Sequence, residues 1–316
     1  MKVVIFHPTF LPPKDYGGVE RVVLWLAQGL IESGHQVWVG ALAGSKLPKG
    51  VRLIEINAKD RSAISFLKLL PPGVDVVHFM APPENEVWGR LPCAGLLTIH
   101  GNGKPGEVFP KNTVFLSRDH AQRHGATEFV YNGIDPSEIL FQPDQKEDRF
   151  LFLSKTSWRV KNLRGAIEFC TKAGVGLRVA GGNRPLISRL RVGLMANSSW
   201  EGPVSGIRKA ELLTRAKAFL FPVTWPEPFG LVVIEALMSG TPVFATPQGS
   251  LKELVPVNVG CLISLDRPDE WVELLKNFGN DFDPENCRKW AIEKFHYHVM
   301  TENYLKVYSR VGAGGI

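Results

Sequence analysis

Two glutamates at either end of a strongly apolar segment are the residues best suited to bind hydroxyl groups. Glu227 precedes a predicted buried helix, and Glu235 lies about two turns into it, roughly 10 Å further along the axis. A carboxylate on a helix that is apolar all round needs a partner, either a structural one or a ligand hydroxyl. The amides of Phe229, Gly230 and Leu231 at the helix start favour an anion. The segment therefore predicts two hydroxyl-binding acids with a diphosphate site between them.

Three further groups of residues follow predicted strands and suit a phosphorylated ligand. Gly17 and Gly18 precede the first helix, where missing side chains allow the backbone to approach an anion closely. His100 follows a predicted strand of the first half of the chain. Lys155 and Lys161 follow the first strand of the second half. The alternative interpretations are a simple turn for Gly17-Gly18, a structural role for His100, and a surface position for Lys155 and Lys161.

The charge of the chain is concentrated in its second half. The 316 residues contain 37 Lys and Arg against 31 Asp and Glu, a net charge of +6. Residues 149–217 alone contain 14 basic and three acidic residues. This excess favours a phosphate-bearing partner, although a solvated basic face is the alternative. Because no recognisable module of stacking aromatics accompanies the basic residues, we do not expect nucleic acid as the partner.

Composition and cysteine usage favour a cytoplasmic globular protein. Apolar residues make up 44% of the chain and charged residues 22%, which excludes a disordered or collagen-like chain. The four cysteines are widely spaced and predict neither a zinc site nor a disulfide framework. No apolar run is long enough to span a bilayer. Residues 59–70 are predicted as a core helix with charged flanks, and peripheral contact with the inner membrane face is the alternative.

Strands and helices alternate along the chain, which predicts an α/β fold with parallel sheets. The predicted elements include a strand over Glu128–Tyr131 and a helix over Leu163–Ala173. The polar segment 135–148 separates two such stretches of similar size. We therefore expect two doubly wound, Rossmann-like domains facing a central cleft, with ligands outside the carboxyl ends of the strands. Asn132-Gly133 is predicted as a turn with a structural role. Residues 284–311 are predicted as one long helix with an apolar stripe.

Residues 219–255 closely resemble the donor-binding signature of glycosyltransferase family 4, retaining enzymes of the GT-B fold. The family pattern E-x-F-G-x-x-x-x-E matches 227–235, and G-T-P-V-x-A-T matches 240–246. A Gly-rich loop ending in Glu253 follows. The resemblance implies transfer of a hexose from a nucleotide-diphosphate sugar, with retention of configuration and without a metal or other cofactor. UDP- and GDP-sugars are the expected donors, and the acceptor is a sugar, a glycolipid or a small metabolite.

The resemblance also implies a role for each matched residue. His100 would orient the donor sugar, and Lys155 and Lys161 would bind the diphosphate. Glu227 would contact sugar hydroxyls and Glu235 the ribose. The catalytic set is thus His100, Glu227, Lys155 and Lys161, and the donor-binding set is Gly17, Gly18, Lys155, Lys161, Gly202, Val204, Glu227, Phe229, Gly230, Leu231 and Glu235.

The resemblance extends over nearly the whole chain and has one notable departure. The family has Gly-Arg where this chain has Ser154-Lys155, and lysine lacks the bidentate fork of arginine.

The resemblance further implies two domains. The acceptor-side domain is formed by residues 1–145 together with a helix that returns to it at about 290–316. The donor domain is then 146–289.

Two rival functions keep the fold and change the chemistry. The departure at Lys155 fits a degenerate family member that binds nucleotide sugars without turnover. A sugar-nucleotide epimerase of the same fold would need no acceptor. A dinucleotide oxidoreductase is disfavoured, because the first strand is followed by Gly17-Gly18 and not by G-x-G-x-x-G.

Overall fold

The computed structural model describes residues 1–14, 17–104, 106–183, 186–279 and 281–313. It divides the chain into two compact units. The first consists of Met1–Asp135 together with Phe295–Ile316, and the second of Pro136–Lys294. The sequence places these divisions at 145 and at about 290. The C-terminal segment thus belongs to the same unit as the N-terminal half.

Strands and helices alternate through the described residues. The strands are β1 (Lys2–Phe6), β2 (Gln36–Leu42), β3 (Arg52–Ile56), β4 (Val76–Phe79), β5 (Ala94–Thr98), β6 (Thr113–Val114), β7 (Phe150–Leu153), β8 (Leu177–Ala180), β9 (Ser199–Gly202), β10 (Phe219–Phe221), β11 (Val243–Ala245) and β12 (Gly260–Leu262). The α-helices are α1 (Gly18–Glu32), α2 (Ala63–Leu67), α3 (Arg118–Arg123), α4 (Leu163–Ala173), α5 (Leu186–Leu194), α6 (Gly206–Arg215), α7 (Leu231–Met238), α8 (Leu251–Leu254), α9 (Pro268–Asn277), α10 (Pro284–Phe295) and α11 (Tyr297–Ala313).

Each unit is built on a six-stranded parallel sheet. The first sheet has the order β3-β2-β1-β4-β5-β6, and the second has the order β12-β11-β10-β7-β8-β9. Both orders are the doubly wound arrangement, in which the first three strands of the unit lead outward from the centre of the sheet and the chain then crosses to the other side. The predicted fold class, with two doubly wound parallel α/β domains, is confirmed.

The strands are continuous apolar runs because helices cover both faces of each sheet. In the first unit Phe6, Phe66 and Phe79 belong to one buried cluster. In the second unit Phe169 stacks on Trp271 with ring centroids 5.2 Å apart, beneath the strands β7 and β10. These two cores fix the strands whose ends carry the candidate site.

The single long helix predicted over 284–311 is wrong. The helix ends at Phe295, and α11 begins at Tyr297. Ile134 causes the break, because its amide donates to the carbonyl of Phe295 at 2.8 Å and its carbonyl accepts from the amide of Tyr297 at 3.1 Å. A backbone segment from a distant part of the chain thus takes the hydrogen bonds that would continue the helix.

Of two smaller elements, one differs from expectation and the other agrees with it. The strand predicted over 128–131 is reduced to an isolated parallel bridge between Phe115 and Phe129. Within the stretch 59–70, Ala63 and Phe66 of α2 are buried in the core of the first unit. These contacts are those of a core helix. Among the described residues, no helix combines the length and apolar character that crossing a bilayer requires.

Candidate functional site

The predicted donor-binding residues of the second unit gather at one edge of its sheet. Lys155 and Lys161 follow β7, Gly202 ends β9, and Glu227 follows β10. These three strands belong to one parallel sheet, so their carboxyl ends lie at the same edge. This edge is where doubly wound sheets bind ligands.

Lys161 and Glu227 form a buried ion pair. The Lys161 Nζ donates to Oε2 of Glu227 at 2.6 Å, and both side chains are at most 10% exposed. Removing two charges from water is costly, and their mutual attraction offsets that cost only when the geometry is good. The pair therefore places one positive and one negative group at fixed positions beside each other.

The loop after β7 is built to hold Lys161 in this position. Residues 159–161 form a 3-10 turn, and Asn162 adopts a left-handed conformation with φ of 55°. The Asn162 side chain accepts from the amide of Gly165 at 3.1 Å and donates to the carbonyl of Pro222 at 2.9 Å. Asn162 thus caps α4 and also ties the β7 loop to the end of β10, where Glu227 follows.

Two tryptophans support the acid and both lysines. The Trp225 Nε1 donates to Oε2 of Glu227 at 2.8 Å, and its ring lies 4.9 Å from Lys161 Nζ. Trp158 meets Trp225 edge-on at 6.0 Å. Lys155 Nζ lies 4.9 Å from the Trp158 ring centroid. Cation–π contacts of this kind restrict a flexible lysine, so this chain positions Lys155 by a different device from a bidentate arginine.

The backbone of Glu227 is fixed by the loop after β11. Gly249 forms a parallel bridge with Glu227, and the amide of Ser250 donates to the Glu227 carbonyl at 3.0 Å. A Cβ on Gly249 would clash with backbone atoms of Glu227, and the φ of Gly249 is +61°. The Ser250 hydroxyl also donates to the carbonyl of Phe229 at 2.7 Å. The glycine of the matched Gly-rich loop therefore serves to hold the acidic loop.

Helix α7 begins at Leu231 and not at Phe229. Its N-cap Gly230 has φ of +92°, a left-handed conformation that favours glycine. The amides of the first turn, beginning with Leu231 and Val232, point out of the helix start because an α-helix cannot pair them internally. The Phe229 ring, two residues before the helix, is buried, so packing holds the start of α7 in place.

Glu235 is almost fully buried, and its charge is paired with a residue that sequence reasoning missed. Lys209 of α6 places its Nζ 2.6 Å from both carboxylate oxygens. The side chain of Glu235 is 3% exposed and that of Lys209 is 17% exposed. The ion pair with Lys209 therefore fixes the orientation of the Glu235 carboxylate.

Gly202 and Val204 lie at the end of β9, beside the loop after β8. The Gly202 carbonyl accepts from the amide of Gly181 at 2.8 Å, and Gly202 has φ of +73°. A Cβ on Gly181 would clash with the backbone of Ser154. Val204 is half-buried. Backbones of three neighbouring strand ends thus approach one another at this edge without side chains between them.

In the first unit, Gly17 and Gly18 follow β1 and begin α1, as predicted. Gly17 is the N-cap of this helix and has no side chain to cap it. A Cβ on Gly17 would lie 2.6 Å from that of Pro13 and 2.7 Å from Oε2 of Glu20. The His7 imidazole, 3.8 Å from Glu20, holds the pKa of that carboxyl below its ordinary value. The Gly17 backbone is therefore confined by tight packing.

His100 follows β5 after one intervening residue, at the carboxyl edge of the first sheet. Its Nε2 is buried and has no hydrogen-bond partner among the described residues. Burial, with smaller contributions from His7 and His120, lowers the pKa of His100 to about 3. His100 is consequently neutral at physiological pH and presents a nitrogen that lacks a partner within the unit.

Three residues outside the recognised motifs contact the predicted site residues, and the sequence did not indicate them. Trp225, Trp158 and Lys209 each support a predicted site residue. Trp225 lies two positions before Glu227, so its proximity was available from the sequence. Lys209 lies on a different helix, and only the packing of α6 beside α7 brings it to Glu235. Within the described parts of the chain, no cluster of three His, Cys, Asp or Glu residues could hold a metal ion.

Comparison with known proteins gives relatives that share this architecture. Residues 137–294 match the model of the family described as glycosyl transferases group 1. The chain is 25% identical to an uncharacterised glycosyltransferase of Methanocaldococcus jannaschii over 94% of this chain and 95% of that protein. Matches to four further curated proteins cover only 26% to 35% of those proteins.

Solved structures are similar over nearly the whole chain. AviGT4, a glycosyltransferase involved in avilamycin A biosynthesis, is 27% identical, with a TM-score of 0.82 over 99% of this chain and 98% of that one. The Anabaena protein HepE, solved with UDP and glucose, is 16% identical, with a TM-score of 0.70 over 98% of this chain and all of the other. The second likeness concerns the fold alone.

Two doubly wound parallel domains, with basic and acidic residues at the carboxyl edge of the second sheet, define a glycosyltransferase of the GT-B fold. The family match covers half of the chain, and the chain belongs to the glycosyl transferases group 1. The predicted activity, transfer of a sugar from a nucleotide sugar, is confirmed at the level of this family.

Proposed function

We propose that this glycosyltransferase moves a hexose from a UDP- or GDP-sugar to its acceptor with retention of configuration and without a metal cofactor. The observation that carries the proposal is the Lys161–Glu227 ion pair beside the start of α7. It combines a cation for the diphosphate with a carboxylate for sugar hydroxyls. HepE, which shares the fold, binds UDP and glucose.

The proposed chemistry depends on stabilising the leaving group. Cleavage of the bond between the sugar and the diphosphate leaves negative charge on the departing phosphate oxygens. Lys161, Lys155 and the first amides of α7 would bind that charge at the edge of one sheet. Because these groups are already held by packing, cation–π contacts and an ion pair, they need little reorganisation when the charge develops.

The two acids receive different roles. Glu227 lies beside Lys161 and would accept hydrogen bonds from hydroxyls of the transferred sugar. Glu235 lies about one turn into α7, and not the two turns expected from the sequence, since α7 begins at Leu231. Its carboxylate would accept from the ribose. Lys209 would keep Glu235 ionised and oriented for that contact.

The first unit would supply a neutral hydrogen-bonding group and a glycine-rich backbone. His100 has a lowered pKa, so it would orient a sugar hydroxyl as a neutral imidazole and would not carry positive charge. Gly17 and Gly18 would present backbone amides to the phosphates. The acceptor stays open between a sugar, a glycolipid and a small metabolite.

The proposal is tested with a panel of UDP-, GDP-, ADP- and TDP-sugars in a thermal-shift assay. A specific donor at 100 times its dissociation constant should add about 2.7 kcal/mol to the free energy of unfolding. Transfer and hydrolysis products are then identified by mass spectrometry, and the anomeric configuration is read by NMR. Chelator in the assay tests metal independence.

Variants separate the enzyme from a binding protein without turnover. Glu235→Ala should weaken binding of the intact donor, whereas Lys252→Ala, an exposed residue of α8, should not. Donor binding with no transferred or hydrolysed product would assign the chain to the degenerate class. No shift with any nucleotide sugar would overturn the proposal altogether.

A further inference from the structure

Helix α5 of the second unit carries large aliphatic side chains on an exposed face. Ile187 is 69% exposed, Leu190 is 57% exposed and Leu194 is 87% exposed. Their spacing of three and four residues places them on one side of the helix. Val192 points the other way and is fully buried, so it anchors the helix to its unit. Scattered exposed leucines are ordinary, but three on one short helix face form a patch that calls for a partner.

A groove of about 740 Å³ adjoins this patch. It lies between α4 and α5, and Ile167, Cys170 and Met195 provide apolar lining. Leu194 and Arg191 of α5 also line it. The exposed patch and the groove are therefore one continuous apolar surface.

The rim of this surface is strongly basic. Arg164 and Arg191 are exposed and line the groove, and neither takes part in an ion pair within the described parts of the chain. The acidic residue at the groove, Glu168, is neutralised by Lys172 at 3.0 Å. Residues 149–197 contain ten basic residues and this single acidic one. The surface thus combines aliphatic side chains with uncompensated positive charge.

We propose that the α5 face, made of Ile187, Leu190 and Leu194 and flanked by Arg191 and by Arg164 of α4, docks the second unit on a membrane that contains anionic lipids. The arginines would meet lipid phosphates, and the aliphatic side chains would enter the boundary between head groups and acyl chains. Charge complementarity selects an anionic bilayer over a neutral apolar partner.

The inference does not depend on the proposed donor chemistry. It concerns side chains of α5 and α4, whereas the donor residues lie at the carboxyl edge of the sheet. It also differs from the stretch 59–70, where Phe66 is buried in the core. Membrane binding can therefore be present or absent whatever the fate of the donor assignment.

The test is sedimentation of the full chain with vesicles of phosphatidylcholine alone or mixed with phosphatidylglycerol. Binding should require phosphatidylglycerol and should weaken in high salt. Leu190→Gln with Leu194→Gln should lower the partition coefficient about tenfold or more. Arg164→Ala and Arg191→Ala should lower it about fivefold each.

Matched controls lie elsewhere on the same unit. Val257→Gln removes an aliphatic side chain that is 92% exposed, and Arg267→Ala removes an exposed arginine. Neither should change binding. Absence of binding to phosphatidylglycerol vesicles, or an equal loss in Val257→Gln, would overturn the proposal. A dimer in sedimentation velocity that Leu190→Gln dissociates would also overturn it, because a second copy would then cover the face.

Discussion

The ion pair of Lys161 and Glu227 shows how single residues can be preorganised for charge and yet depend on each other. Each side chain is buried, and each would carry an unpaired charge if the other were removed. Trp225 donates to the same carboxylate oxygen that Lys161 contacts. A ligand hydroxyl would donate to the second carboxylate oxygen of Glu227, Oε1.

The first prediction concerns this pair. Lys161→Met and Glu227→Gln should each lower the free energy of unfolding by about 3–5 kcal/mol, because each leaves a buried polar or charged partner uncompensated. The double variant should lose clearly less than the sum of the two. Urea denaturation measures all three. For comparison, Lys172→Met breaks an exposed pair with Glu168 and should cost under about 1 kcal/mol. Equal effects of Lys161→Met and Lys172→Met would show that the buried pair is not desolvated.

The candidate site was predictable from the sequence where a motif and a strand end coincide. Glu227 and Lys161 lie in loops that follow the expected strands β10 and β7, and Glu235 lies in the helix that comes next. Their roles as donor ligands stay predictions. Their pairings were not predictable, because Lys161 meets Glu227 across the β7–β10 neighbours and Lys209 meets Glu235 across two helices. Such contacts follow from three-dimensional packing, which no local pattern encodes.

Among the secondary-structure elements, local sequence patterns predict helix α4, whereas contacts with distant residues cause the helix break at His296. Periodicity predicted α4 with the observed bounds, Leu163–Ala173. It could not predict the break at His296, because the hydrogen bonds that interrupt the helix come from Ile134. The Asn132-Gly133 pair was predicted as a turn. Gly133 is needed there for another reason, since a Cβ would lie 2.5 Å from the backbone of Tyr297 at the start of α11.

A buried polar network joins α11 to the first sheet. Nδ1 of His78 pairs with the Tyr308 hydroxyl at 2.8 Å, and Nε2 pairs with the Thr98 hydroxyl at 2.7 Å. Thr98 in turn meets the Tyr304 hydroxyl at 2.9 Å. All four side chains are fully buried. The network therefore fixes which face of α11 lies on the sheet, because any rotation would leave these groups without partners.

The second prediction concerns this network. Tyr308→Phe keeps the ring and removes the hydroxyl, so Nδ1 of His78 is left buried and unpaired. The variant should lose about 1–3 kcal/mol of folding free energy in chemical denaturation. Tyr297→Phe is the matched control, since its hydroxyl donates to the half-exposed Glu32 at 2.9 Å and should cost less. Adding His78→Leu to Tyr308→Phe should cost less than the two single effects combined. An additive double variant would mean that the two side chains are not coupled.

At the scale of the whole molecule, basic charge and neutral histidines are separated between the two units. The excess of lysine and arginine in residues 149–217 belongs to the second unit. Burial is the main cause that lowers the pKa values of three histidines of the first unit to about 3. These are His78, His100 and His120. These three side chains are uncharged in the folded protein at any pH at which sugar transfer would be assayed.

The last prediction follows from these lowered pKa values. Between pH 3 and about 6.5 the unfolded chain binds protons on these histidines and the folded chain does not, so stability is complete above pH 6.5 and falls as the pH drops. Each histidine should contribute a slope of about 1.4 kcal/mol per pH unit below pH 6.5. His100→Gln should reduce the pH dependence of the free energy of unfolding between pH 6.5 and 5 by about 1.4 kcal/mol per pH unit, measured by urea denaturation. His298→Gln, on an exposed side chain, should leave this pH dependence unchanged.

Because His100 is neutral throughout this range, donor binding to the folded protein should show no ionisation of this residue between pH 5 and 8. A binding titration near pH 6.5 that His100→Gln abolishes would show instead that His100 binds the donor as a cation.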